Sequence, residues 1–191
     1  GYNNFREKYA SGNDSVMQTL AHDGQSPEIM VVSCCDSRVD PGLILQCDPG
    51  EIFTVRNVAN IVPPYELDDS HHGTSAALEY GIRFLQVKHL IILGHSQCGG
   101  IAALKNKAHE KPNDFITRWV TLLNEDSPQE ESADDFAKRA LKNSYDNCLQ
   151  FPWIKERVDA GELKIHLWFF DIKAAEILNY SFQDKQYTVF G

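Results

Sequence analysis

Four short apolar runs give the 191-residue chain its skeleton: residues 29–33 (IMVVS), 51–56 (EIFTVR), 89–93 (HLIIL) and 163–170 (LKIHLWFF). Each is brief, rich in β-branched or aromatic residues and bounded by turn formers, so each predicts a strand. Between them, helical patterns run over residues 14–21, capped by Asn13 or Asp14, over 74–85, capped by Thr74, and over 100–106 and 134–150. Strands alternating with helices predict an α/β fold, a mostly parallel central sheet of four or five strands flanked by helices. The polar stretch 124–135, broken at Pro128, reads as a surface connection, and no repeat divides the chain, so residues 1–191 are expected to form one domain.

Charge narrows the field. Eighteen Lys and Arg stand against 27 Asp and Glu, a net −9 with no basic block, which argues against electrostatic binding to nucleic acid or an anionic membrane. The longest apolar run, residues 90–93, is far too short to span a bilayer. Five cysteines is an odd number, and Cys34, Cys35 and Cys98 sit in compact polar motifs rather than at framework spacings. That usage points to a reducing, cytoplasmic setting in which thiols are free to bind metal, although a start at Gly1 leaves room for a targeting segment upstream.

The chemistry sits at two strand ends. Cys34-Cys35-Asp36-Ser37-Arg38 follows the first strand, and Gly94-His95-Ser96-Gln97-Cys98-Gly99-Gly100 follows the third. Parallel strands send both motifs out at one sheet edge, where ligands of open α/β sheets bind. Cys, His and Cys converging there make the sulfur and nitrogen set that zinc prefers, with a fourth position left open for catalysis. Alternation along an extended chain turns Cys34 and Asp36 to one side and Cys35 to the other, so Cys34 is the expected ligand. Arg38 can then hold Asp36 in a bidentate pair and keep it ionised. Against this stand blander readings: a lone His-x-x-Cys pair or buried Cys is usually structural, no nucleophile elbow supports a Ser or Cys hydrolase, and no Lys follows Gly99-Gly100 at phosphate-loop spacing.

The paired signature Cys34-x-Asp36-Ser37-Arg38 and His95-x-x-Cys98-Gly99-Gly100 resembles that of the β-class carbonic anhydrases. The likeness extends over Gly24-Gln25-Ser26-Pro27, Pro49-Gly50-Glu51, Val55-Arg56-Asn57-Val58-Ala59-Asn60, Val62-Pro63-Pro64-Tyr65 and residues 74–80, and more loosely over Phe151-Pro152-Trp153-Ile154 and Trp168-Phe169-Phe170-Asp171-Ile172. The resemblance implies reversible hydration of CO2 to bicarbonate, with one Zn2+ per subunit on Cys34, His95 and Cys98. It implies catalytic roles for Asp36 and Arg38, Asp36 becoming the fourth ligand in a closed state. Gln25 would donate a hydrogen bond to substrate, and Phe53, Val58, Tyr80 and Gly99 would line the cleft. It further implies a homodimer or larger homo-oligomer with the cleft at the dimer interface, residues 1–23 forming an N-terminal helical arm and Gln25 serving the partner's zinc. Cys35 replaces a small residue of the family and is expected to be buried. Val31 stands where some bacterial members carry a tryptophan of an inhibitory bicarbonate pocket, so that pocket is expected to be absent and the open form favoured. His71, His72, His89, His109 and His166 read as surface or core residues, the vicinal pair doubling as a candidate for proton transfer, and Cys47 and Cys148 as packing residues. CS2 or COS hydrolysis on the same fold, and a zinc-stabilised scaffold without turnover, are the alternative functions.

Overall fold

β1 (Ile29–Cys34) lies between β2 (Ile52–Asn57) and β3 (His89–His95), both parallel to it, and β3 is joined on its far side by a parallel β4 (Lys164–Asp171). β5 (Glu176–Ser181) and β6 (Gln186–Val189) add antiparallel to give the order β2-β1-β3-β4-β5-β6. This computed structural model describes residues 1–12, 14–68, 70–105, 114–123 and 131–190. Asn13, His109, Asn106 at the end of the third expected helix, and residues 124–130 of the polar connection lie outside them.

The sheet thus holds six strands where four or five were expected, and the two extra ones have a local cause. Hairpins are usually signalled by glycine at a left-handed turn position. Here Ala175 and Lys185 both take φ 55°. The turns are held instead by short polar side chains: the Asp171 carboxylate accepts the main-chain N–H groups of Lys173 and Ala174 at 2.8 and 3.1 Å, and Ser181 Oγ accepts that of Asp184 at 3.1 Å.

β1 and β3 are central and buried along almost their whole length, which explains their unbroken apolar runs. The helices are α1 (Tyr2–Tyr9), α2 (Val16–Asp23), α3 (Pro41–Ile44), α4 (Gly73–Glu79), α5 (Gly99–Lys105), α6 (Phe115–Val120), α7 (Ala133–Cys148) and α8 (Pro152–Asp159). α7 packs along β3 and β4, and Leu141 comes so close to Gly94 that a Cβ there would stand 3.2 Å from it. Two helix starts differ from expectation. Ser15, not Asn13 or Asp14, precedes α2, and α4 begins at Gly73 after His72 because Thr74 spends its hydroxyl on Asn57 Nδ2, 3.2 Å away. The helix expected over residues 74–85 turns into a wider π turn at Tyr80–Phe84, where Leu85 N–H reaches back to the Tyr80 carbonyl at 3.0 Å. Within the N-terminal region, Tyr2–Tyr9 and Val16–Asp23 form two short helices, and neither buries a residue in its own chain.

Candidate metal centre

Register decides what meets at the sheet edge. β1 ends on Cys34, paired with Asn57 of β2, and β3 ends on His95, paired with Phe170 of β4. Both leave at the carboxyl edge, and two residues, Ser96 and Gln97, carry the chain from His95 to Cys98 just ahead of α5. The ligand atoms of Cys34, His95 and Cys98 lie within 4.8 Å of one another, the two sulfurs 3.9 Å apart, and all three residues are buried. Among the described residues this is the one cluster of its kind.

Each donor is prepared. His95 Nδ1 shares a hydrogen bond with the Ser96 carbonyl at 2.9 Å, so that nitrogen carries the proton and Nε2 is left with a lone pair. Nε2 is buried without a partner, a costly arrangement unless something electrophilic fills the gap. The Cys34 thiol is pulled down to about 4, first by the Cys98 thiol and against its own burial, with help from His95 and the main-chain N–H groups of Asp36 and Ala59. Cys98 moves well above the usual thiol range because it donates to Cys34 and is buried, although the N–H groups of Ile101 and Gly100 oppose this. The two sulfurs are close enough to share a thiol proton, which a cation bound between them would displace. Burial lowers the basicity of His95, but the neighbouring Cys34 sulfur outweighs it and the net shift is upward. Two sulfurs and one imidazole nitrogen fit a divalent zinc-type ion in both donor chemistry and number.

Asp36 lies outside the cluster, committed to Arg38. Arg38 Nε and Nη2 donate to its two oxygens at 2.9 and 2.7 Å, and the Arg38 main-chain N–H adds a third bond at 2.9 Å. This guanidinium holds the Asp36 carboxyl well below the usual carboxylate range. The loop carrying the pair is braced from β2 by Arg56, which donates to the Cys34 carbonyl at 2.9 Å, the Asp36 carbonyl at 2.8 Å and the Asp40 carboxylate at 2.7 Å.

The expected cleft residues separate into two groups. Val58 stands at the site: it opens the 3-10 turn Val58–Asn60 directly after Asn57, and its Cγ1 lies 2.7 Å from where a Gly100 Cβ would sit. Gly99 faces open space at the start of α5. Gln25, by contrast, precedes β1 on the amino edge beside α2, whose Leu20 packs on Gly50 ahead of β2. Phe53 pairs with Met30 near the start of β1, its ring 5.8 Å from that of the half-exposed Tyr80. Met30 is four residues before Cys34, so at about 3.3 Å per residue Phe53, with Tyr80 packed on it, sits roughly 13 Å down the sheet from the trio. Cys35 is exposed, not buried as expected, because the chain turns away from the sheet one residue after Cys34. His72 pairs with Asp68 at 2.7 Å and His89 with His166 at 3.1 Å, and neither pair joins the cluster.

Arg56, Asn57, Ser96 and Asp134 were not singled out by sequence reasoning. Asn57 ties Ile61 by both its main-chain groups, at 2.8 and 2.9 Å, and Ser96 Oγ accepts the Ile172 N–H at 2.9 Å. The available signal was polarity in a buried strand pattern, as at Arg56 between Val55 and Asn57.

A sheet edge that buries two sulfurs and an imidazole with an orphaned nitrogen defines the class: an α/β protein with a cysteine–histidine cluster able to hold a metal ion. Comparison with known proteins narrows this. A family model described as carbonic anhydrase matches residues 29–177. Beta carbonic anhydrase 6, mitochondrial, of Arabidopsis thaliana is 38% identical over 160 residues, 78% of this chain and 54% of that protein. A carbonic anhydrase of Synechocystis is 34% identical over 191 residues, 94% of this chain and 69% of that protein. The solved structure of the β-carbonic anhydrase CcaA superposes with a TM-score of 0.86 at 30% identity, covering 100% of this chain and 89% of that one. The chain belongs to the β-class carbonic anhydrase family. It spans about half the length of two Arabidopsis relatives, 54% of beta carbonic anhydrase 6 and 51% of the chloroplastic beta carbonic anhydrase 5.

Proposed function

We propose that the chain catalyses reversible hydration of CO2 to bicarbonate and a proton, with one zinc ion per subunit on Cys34, His95 and Cys98. The observation that carries this reading is the buried trio, with its orphaned His95 Nε2, beside a carboxylate held by Arg38. Zinc, when bound, supplies a Lewis acid that brings deprotonation of water toward neutral pH. The chain's own residues do the rest. Asp36, kept ionised by Arg38, accepts a hydrogen bond from the attacking water and fixes its orientation. Its engagement with Arg38 favours the open state over one in which Asp36 is a fourth ligand. Val58 offers an uncharged surface to an uncharged substrate, and Gly99 carries no side chain to crowd it. A structural zinc would need neither Asp36 nor Arg38, which weighs against a scaffold without turnover.

Gln25, Phe53 and Tyr80 complete the cleft from a second copy of the chain, with the two N-terminal helices reaching across to it. A chain from the structures of two tetrameric β-carbonic anhydrases of Sordaria macrospora, superposing with a TM-score of 0.77 at 29% identity over 93% of this chain, supports a homo-oligomer. Five free thiols support a reducing compartment, here the cytoplasm. No described helix is long and apolar enough to cross a membrane. The test is stopped-flow CO2 hydration before and after zinc removal: activity should vanish with the metal and return with one zinc equivalent per chain. Equal rates in both states would overturn the reading.

A further inference from the structure

We propose that Asp134 is a positioning residue for the metal centre, acting through the main chain of Gln97 on both the Cys98 turn and the Asp36–Arg38 pair. The proposal rests on the carbonic anhydrase reading above. Gln97 stands between His95 and Cys98 and takes φ 55°, a left-handed conformation unfavourable for a residue other than glycine. Such strain persists where the surroundings over-determine it. Here the Gln97 N–H donates to Asp134 Oδ1 at 2.7 Å, and the Gln97 carbonyl accepts from Arg38 Nη2 at 3.2 Å. The same Nη2 donates to Asp36 Oδ2 at 2.7 Å. One hydrogen-bonded line therefore runs Asp134–Gln97–Arg38–Asp36, from the first turn of α7 across the ligand turn to the catalytic carboxylate.

The neighbouring acid supplies the contrast. Asp134 and Asp135 both sit in the first turn of α7, where negative charge is favoured by the helix dipole. Asp135 spends itself on its own helix: its N–H donates to the capping Ser132 Oγ at 3.0 Å, and Ser132 Oγ donates to its carboxylate at 2.7 Å. Asp134 turns outward, 37 residues along the chain, to a main-chain N–H it can hold with a charge-assisted bond. A role confined to helix stability would make the two acids equivalent. A positioning role makes them differ.

The experiment compares zinc-loaded wild type with D134A, D134N and D135A, reading zinc release to a chromogenic chelator, CO2 hydration and the thermal midpoint. D134A should release zinc about 10- to 100-fold faster, the size of effect seen when support behind a metal ligand is removed. D134N keeps the oxygen acceptor and should restore release to near the wild-type rate. D135A should lower the thermal midpoint while its zinc release stays at the wild-type rate. Where D134A does not accumulate folded, Asp134→Ser, compatible with a helix start but too short to span to Gln97, takes its place. Wild-type release from D134A or its serine substitute, equal acceleration in D134A and D135A, or no rescue by D134N would each overturn the proposal. Failure of the carbonic anhydrase reading would show separately, as a wild type that holds zinc but leaves CO2 unhydrated.

Discussion

Ala59 holds φ 63°, a conformation that costs an alanine about 1–2 kcal/mol, and it does so where its N–H reaches the Cys34 sulfur. The neighbouring Gly100 is fixed by the same crowding, since an added Cβ would meet Val58 Cγ1 at 2.7 Å and Ala59 Cβ at 3.1 Å. Gly100→Ala should therefore destabilise by about 1–3 kcal/mol, measured by chemical denaturation, and weaken zinc retention along with it, because Val58 and Ala59 must move. An unchanged midpoint would show that the turn is looser than it looks. Legibility differed residue by residue. Cys34, Asp36, Arg38, His95 and Cys98 could be read in the sequence because two strand ends fix them at short spacing. Asp134 and Arg56 could not, because their partners lie 37 and 22 residues away and only the fold brings them together.

At the scale of elements, the Cys34–Asp40 loop hangs on β2 through Arg56, whose guanidinium makes three bonds to it. Arg56→Lys keeps the charge but not the planar fork, so it should lower CO2 hydration while leaving zinc content intact, by roughly ten-fold for a lost supporting contact. Loss of zinc as well would place Arg56 in the metal's own support. α1 is held at its carboxyl end, where Lys8 donates to Asp48 at 3.0 Å and the Tyr9 hydroxyl donates to the same carboxylate. Tyr9 first and Lys8 second hold the Asp48 carboxyl below its ordinary value. The sign follows. A carboxyl depressed in the folded state stabilises docking above its unfolded value, about 3.9, and loses that contribution as pH falls through the folded one. Asp48→Ala should thus speed amide exchange across α1 roughly two- to five-fold at neutral pH and have no effect in strong acid. β1 and β3 were readable as unbroken apolar runs, and β2 and β4 as short segments rich in β-branched or aromatic residues. β5 and β6 were not, because their turns place Ala175 and Lys185, not glycine, in the left-handed region.

Over the whole molecule, Gln25 lies ahead of β1, and Phe53, with Tyr80 against it, pairs with Met30 four residues before Cys34, which is why the proposed site draws on two chains. Mixing inactive Gln25→Ala with inactive Asp36→Asn tests this directly, since a mixed dimer carries one intact site. Random reassociation should restore about a quarter of wild-type activity, and no recovery would confine the site to one chain. Two thiolates also offset the charge of the dication they would hold, so hydration should rise above neutral pH, and a rate already maximal at pH 6 would contradict that charge balance. In the proposed reaction Asp36 is the carboxylate that orients the attacking water while the trio holds zinc. Stopped-flow CO2 hydration by wild type and Asp36→Asn at matched zinc content is the most direct test. It should show an active wild type and a loss of roughly 100-fold or more in kcat in the variant. Equal rates in the two proteins, or none in the wild type, would contradict it.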